Sequence, residues 1–210
     1  GKTVTGYCDF EAKANNPFNL AYFGNEISPE ATEKIMQQDF FISVGDNAIR
    51  KKVFRHFEAI QRYPVNAVHP SAIIDESAQL GKYGMMISAA VCINPLAIIG
   101  NGTICNTGCI IEHECKIGEF AHIAPGAVLC GNVQIGDGAY VGAGAVIRQG
   151  ISVGKNAMIG AGAVVVKHVG DNETVVGNPV NSTALRTESG PTATPKLDLT
   201  HSENGQVAAS

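Results

Sequence analysis

The sequence has no C-x-x-C pair, no dense cluster of Lys and Arg, and no apolar run near the ~18–20 residues of a membrane span. The first absence weakens zinc and thioredoxin-like readings. It leaves Cys8, Cys92, Cys105, Cys109, Cys115 and Cys130 as structural thiols of a reducing compartment. The second, with a formal net charge of −4, argues against a surface built to neutralise nucleic-acid phosphates. The third argues against a membrane helix. With no signal-peptide pattern at its start, the chain is expected in the cytoplasm. Charged residues make up only 16% of the 210, yet 45% are hydrophobic, enough to bury a substantial core.

Glycine is abundant instead, 24 residues without a collagen period, as a chain with many corners requires. The reason lies between Ile87 and Val165, where an apolar residue returns every sixth position: Ile87, Ile93, Ile99, Cys105, Ile111, Ile117, Ile123, Leu129, Ile135, Val141, Ile147, Val153, Ile159, Val165. Two residues before each stands something compact, such as Val91, Ala97, Ala121, Ala127, Ala139, Ala145 or Ala163. A period of six is neither helical nor a simple alternation of faces. It is the period of a triangular coil with one short strand per hexad and a turn at each corner, a hexapeptide-repeat parallel β-helix. Ile74 and Leu80 already keep the step, but Leu80 to Ile87 is seven residues, which predicts an irregular first coil.

Residues 1–64 read differently. Thr3–Asp9 is an expected strand ending in an acid, 29–38 a helix, and Phe40–Val44 a compact apolar strand closed by Gly45-Asp46-Asn47. A helix then places Ile49, Val53, Phe57 and Ile60 on one face, with Asp46 or Asn47 as its cap. Strand, glycine turn and helix start would aim backbone N–H groups at an anionic ligand. This is part of a small α/β domain whose opening strand and glycine-rich turn have no counterpart here, so it is expected to be truncated at its N-terminus. The β-helix follows over 65–180. A Thr-, Ser- and Pro-rich tail over 181–210 is expected to be disordered.

Outward polar residues carry what a solenoid does not need for stacking. Glu112-His113-Glu114 is the densest group: a carboxylate beside an imidazole keeps it basic and oriented, as a general base requires. A solvated histidine among surface glutamates is the plain alternative. His122 lies half a coil further, on a different side of the prism, so the two could converge only if a second subunit supplied one. A trimer of parallel prisms would form three such grooves. A three-histidine zinc site of the β-helical carbonic anhydrase kind is disfavoured by the spacing of His113 and His122, and His69 and His168 lie at opposite ends.

The run Thr107-Gly108-Cys109-Ile110-Ile111-Glu112-His113-Glu114-Cys115-Lys116-Ile117-Gly118-Glu119-Phe120-Ala121-His122 resembles the active-site coil of bacterial nucleotide-sugar acetyltransferases. It is most similar to the UDP-N-acetylbacillosamine N-acetyltransferase family, next to the sialic-acid O-acetyltransferases. Asp39–Lys52 resembles that family's nucleotide-sugar-binding domain, and Gly177-Asn178-Pro179 its solenoid exit. The resemblance implies a left-handed β-helix and a homotrimer that uses acetyl-CoA and a UDP-linked amino sugar without a metal. It further implies His113 as proton acceptor with Glu114 raising its basicity. His122 would contact acetyl-CoA across the subunit interface, with Gly131 near the thioester carbonyl and Ala143 and Ala161 along the pantetheine arm. Asp9 and Gly45 would line the nucleotide-sugar pocket. O-acetylation of a sialic-acid-like sugar and a non-catalytic β-helical scaffold are the alternatives.

Overall fold

A computed structural model describes residues 3–182, so the expected 181–210 tail lies almost entirely outside the described residues. The six-residue period folds into a mainly β, three-sided parallel helix. The first wall runs Ala67–Val68, Met86–Ile87, Ile104–Cys105, His122–Ile123, Tyr140–Val141, Met158–Ile159 and Thr174–Val176, and ends in an antiparallel strand, Asn181–Ser182. The second holds Ile73–Ile74, Cys92–Ile93, Ile110–Ile111, Val128–Leu129, Val146–Ile147 and Val164–Val165. The third holds Gln79–Leu80, Ile98–Ile99, Lys116–Ile117, Gln134–Ile135 and Ser152–Val153.

Each coil stacks on the next with like over like, so that Ile93, Ile111, Leu129, Ile147 and Val165 form one column. The inward aliphatics and their small partners, such as Ala121, Ala127 and Ala145, make one continuous buried core. Cys105, Cys109 and Cys115 belong to that core as free thiols. At the corners successive coils nearly touch. A Cβ on Gly136 would lie 2.5 Å from the Lys155 backbone nitrogen, so the column Gly118-Gly136-Gly154 is set by close approach.

The seven-residue step after Leu80 is the expected irregularity: Gly84 N–H donates to Pro64 O (3.1 Å), and Tyr83 stacks on Tyr63 (4.3 Å between ring centroids). At the other end the solenoid continues past Val165. The bridge from Val153 to Val169 and the pairing of Ile159 with Val175 add a shortened turn that the hexad pattern alone did not include.

Outside the solenoid, only Gly6–Tyr7 of the expected first strand pairs, with Ala21–Tyr22, as a parallel ribbon. Helix α1 (Pro29–Gln37) starts at Ser28, whose Oγ accepts from Ala31 N–H (3.2 Å). Helix α2 (Asn47–Glu58) is capped by Asp46, which accepts from Ile49 N–H (2.8 Å). Two expectations are corrected. The segment 40–44 is not a strand but extended chain, with Phe40 O taken by Val65 N–H and Val44 O by Arg50. The buried stripe of α2 is Arg50-Val53-Phe54-Phe57, with Ile49 and Ile60 exposed. The helix is rotated toward that stripe because Phe54 meets Phe120 edge-on (5.2 Å) while Arg50 finds carbonyls in the solenoid wall.

Replacing Gly136 with Ala should cost about 1–3 kcal/mol, because the colliding atoms are backbone and cannot swing away. A denaturant midpoint equal to the parent protein's would contradict this account of the corner.

Candidate active site

The register places every residue two positions after an inward aliphatic on a corner. Along the corner between the second and third walls, His113 and Gly131 stack one coil apart, as Asn132 N–H donating to His113 O (2.8 Å) shows. Glu114 turns the chain here with φ +61°, in the left-handed region, which swings its carboxylate back beside the ring. His113 Nδ1 lies 3.1 Å from Glu114 Oε2, both side chains about half exposed (51% and 56%). An ion pair so exposed adds little stability, but it orients the ring with its Nδ1–H on the carboxylate and the Nε2 lone pair free. That Nε2 lies against Gly131, where a Cβ would come within 2.5 Å of it. His113, Glu114 and Gly131 are thus brought together within one chain.

His122 lies on the first wall and is buried, 9% exposed. Its Nδ1 faces Gly45 O (3.3 Å), its Nε2 faces Asn106 Nδ2 (3.3 Å), and Tyr140 stands edge-on to the ring (5.1 Å). Because a carbonyl only accepts, Nδ1 carries the hydrogen and Nε2 receives the Asn106 amide hydrogen. Burial lowers the pKa of the ring, the Gly45 carbonyl opposes this, and the nearby Arg50 charge lowers it further. His122 does lie on a different side of the prism from the His113 corner, as expected, but within this chain it is a neutral ring packed under the N-terminal segment.

Arg50 is almost fully buried. Its Nε donates to Gly102 O (2.8 Å) and one terminal nitrogen to Val44 O and Gly45 O (3.0 Å each). The other donates to Asn47 Oδ1 (2.8 Å), Phe120 O (2.9 Å) and Ala121 O (3.3 Å). Burial pulls the guanidinium down to about 10, against the pull of Asp46, so it remains a cation at neutral pH. The adjoining Asn47 amide donates to Gly138 O (2.9 Å), so the start of α2 is docked on the solenoid.

Ala143 and Ala161 stand on the corner between the first and second walls, in a column with Thr107 and Pro125 confirmed by Gly162 N–H donating to Ala143 O (2.8 Å). They therefore occupy the opposite edge of the second wall from His113. Gly45 has open space where a side chain would project. Asp9 pairs with Lys13 (3.2 Å) and accepts from Phe10 N–H (2.7 Å), both within its own loop. Among the described residues no three His, Cys, Asp or Glu side chains gather as a metal site. Burial pushes the Cys115 thiol up to about 11, and the hydrogen bond with Cys109 raises Cys105, so neither is a ready nucleophile.

Sequence reasoning missed Arg50, Asn47 and Asn106. Asn106 did leave a signal: it follows the inward Cys105 where later coils carry Ala124, Gly142 and Gly160. Arg50 left only the spacing 50, 53, 54, 57, which also fits a helical stripe.

The three-sided coil thus carries a histidine corner and a small-residue corner on opposite edges of one wall. The model of the bacterial transferase hexapeptide (six repeats) matches residues 114–149 and 132–167. The GDP-perosamine N-acetyltransferase of Escherichia coli O157:H7 is 33% identical over 133 residues, 63% of this chain and 53% of the relative; the chain spans about half of that protein's length. PerB from Caulobacter crescentus, solved with CoA and GDP-perosamine, is 32% identical with a TM-score of 0.75, covering 80% of each chain. The acetyltransferase domain of PglB from Neisseria gonorrhoeae FA1090, solved with acetyl coenzyme A, is 30% identical with a TM-score of 0.76, covering 85% of each chain. The chain belongs to the hexapeptide-repeat, left-handed β-helix sugar acyltransferases.

The buried neutral state of His122 has a consequence for stability. Its folded pKa lies below the unfolded value of about 6.5, so the unfolded chain binds the proton more readily. Its stabilising contribution is present above about pH 6.5 and is lost as pH falls through the lower folded value. Urea unfolding at pH 8 and pH 5 should show a steeper acid loss in the parent than in His122→Gln; equal losses would contradict it.

Proposed function

We propose that this protein transfers the acetyl group of acetyl-CoA to the amino group of a nucleotide-linked amino sugar. The observation that carries the reading is the His113 imidazole, held by Glu114 at Nδ1 and laid against Gly131 at Nε2. A sugar amine must shed a proton as it attacks, and His113 Nε2 is the acceptor. The amine nitrogen bonds to the thioester carbonyl carbon, and the tetrahedral oxyanion is stabilised by the Gly131 N–H. The C–S bond then breaks, and the leaving CoA thiolate takes the proton from the imidazolium. No covalent enzyme intermediate is involved, in keeping with buried, raised-pKa thiols.

The acceptor is proposed to be UDP-linked, bound by the N-terminal unit (residues 1–64) with Gly45 and Asp9 lining its pocket. GDP-linked sugar is the second reading, because two of the relatives are named for GDP-perosamine. The acyltransfer unit is assigned to 65–180. Donor use of acetyl-CoA places the reaction in the cytoplasm. No helix among the described residues is long and apolar enough to cross a membrane.

A homotrimer is part of the proposal, and the contrast between walls supports it. The outward residues of the second wall are Ile73, Cys92, Ile110, Val128, Val146 and Val164, all apolar, whereas the third wall carries Gln79, Ile98, Lys116, Gln134 and Ser152, polar but for Ile98. An apolar wall turned toward a three-fold axis is covered by its own copies. In such a ring, the His113 edge of one subunit lies beside the Ala143–Ala161 edge of the next. The pantetheine arm would run down the alanine column, with His122 and Asn106 on the adjoining wall beside it.

His113→Ala should lower kcat by about 10²–10⁴-fold while the fold persists. Thiol release with UDP- and GDP-linked amino sugars identifies the acceptor, and near-parental turnover by the variant would sink the assignment. Val128→Lys should yield monomers by sedimentation and lose most of kcat/KM; a fully active monomer would remove the composite groove.

A further inference from the structure

A buried cation with no carboxylate on its guanidinium is an expensive way to dock two units. Desolvation works against it, and well-packed apolar residues often hold such contacts as firmly. The arrangement of its acceptors points to a further use. Arg50 reaches the two features that define the His122 ring. It donates to the carbonyls of Phe120 and Ala121, which immediately precede His122 and set its backbone. It also donates to Gly45 O, the same oxygen that faces His122 Nδ1. The Val44 and Asn47 contacts clamp the flanks of Gly45, so that oxygen cannot rotate away without breaking other bonds.

We propose that Arg50 is a positioning residue for the transfer site, gripping the Gly45 carbonyl so that the His122 ring is held as the Nδ1–H tautomer with Nε2 directed to Asn106. Its catalytic consequence rests on the acetyltransferase reading above, whereas its effect on the ring does not. The chain Arg50, Gly45 O, His122, Asn106 links the segment expected to bind nucleotide sugar to the wall beside the alanine column. A sugar that settles on Gly45 thereby meets a ring whose orientation is already fixed between the Gly45 carbonyl and the Asn106 amide. Lysine cannot reproduce this, because one ammonium cannot reach Gly102, Gly45 and Phe120 together as a guanidinium fork does.

The test uses the full chain labelled with ¹⁵N-histidine, the His122 ring being assigned by its loss in His122→Ala. In the parent the ring nitrogens should show one tautomer, protonated at Nδ1, at pH 8. Arg50→Lys should give a mixture of tautomers and lower kcat/KM by about tenfold or more, mostly through KM for acetyl-CoA. In a His122→Ala background the same substitution should add less than about twofold, since both act through one ring. A single Nδ1–H ring in Arg50→Lys, or equal losses in both backgrounds, overturns the proposal. If Arg50→Lys does not fold, the parent spectrum decides: a ring protonated at Nε2 overturns it, and a ring protonated at Nδ1 supports it. A tautomer shift in a parent protein without transferase activity sinks the acetyltransferase reading and leaves the positioning role standing.

Discussion

Successive coils of this solenoid lie one strand spacing apart, about 4.8 Å, and the side chains, corners and site residues all answer to that closeness. Strands so near one another hydrogen-bond only in register, which stacks each inward aliphatic on its equivalent one coil away. The same closeness leaves no room for a Cβ at Gly118, Gly136 or Gly154. It also turns each outward position into a column. His113 over Gly131 is one such column, and the imidazole fits because the residue beneath it has no side chain. The geometry of this corner is thus a by-product of stacking: the corner that presents the histidine also supplies the flat backbone against which it rests.

The three walls differ because their outward residues differ, and each difference assigns a neighbour. The third wall, with Gln, Lys and Ser around a single outward Ile98, is mostly polar and suits water. The first is covered along part of its length by α2, through Phe54 on Phe120 and the fan of carbonyls around Arg50. The second remains apolar with no cover among the described residues, and a second copy is the cover proposed for it. If the second wall is covered by its own copies as proposed, the small-molecule surfaces fall on its two edges. Those edges carry His113 with Gly131 on one side and Ala143 with Ala161 on the other.

Much of this was legible in the sequence because a six-residue period is a local signal that tertiary context does not override. The inward set from Ile87 to Val165 is buried throughout, and the Glu114–His113 pairing follows from adjacency alone. The N-terminal segment was less legible. Phe40–Val44 has strand composition, but a strand exists only with a ladder partner, and none is present among the described residues. Arg50 was hidden for a different reason. A cation on a helix reads as solvated unless one knows that Gly102, Phe120 and Ala121, more than fifty residues away in the chain, offer their carbonyls to it. Such long-range polar satisfaction has no periodic signature.

The two histidines illustrate how environment divides labour between identical side chains. His113 is half exposed, with the Glu114 carboxylate 3.1 Å from its Nδ1 orienting the ring. His122 is buried against a carbonyl with the Arg50 cation nearby, and both burial and that charge disfavour its protonation. A ring held neutral between the Gly45 carbonyl and the Asn106 amide keeps one orientation on its wall, whereas the His113 ring stands open at its corner. The His113 corner and the alanine edge lie on opposite sides of the apolar wall, so within one prism they do not meet. In the proposed trimer that wall is buried against its own copies, and the same valines that would favour association would also bring the two edges together.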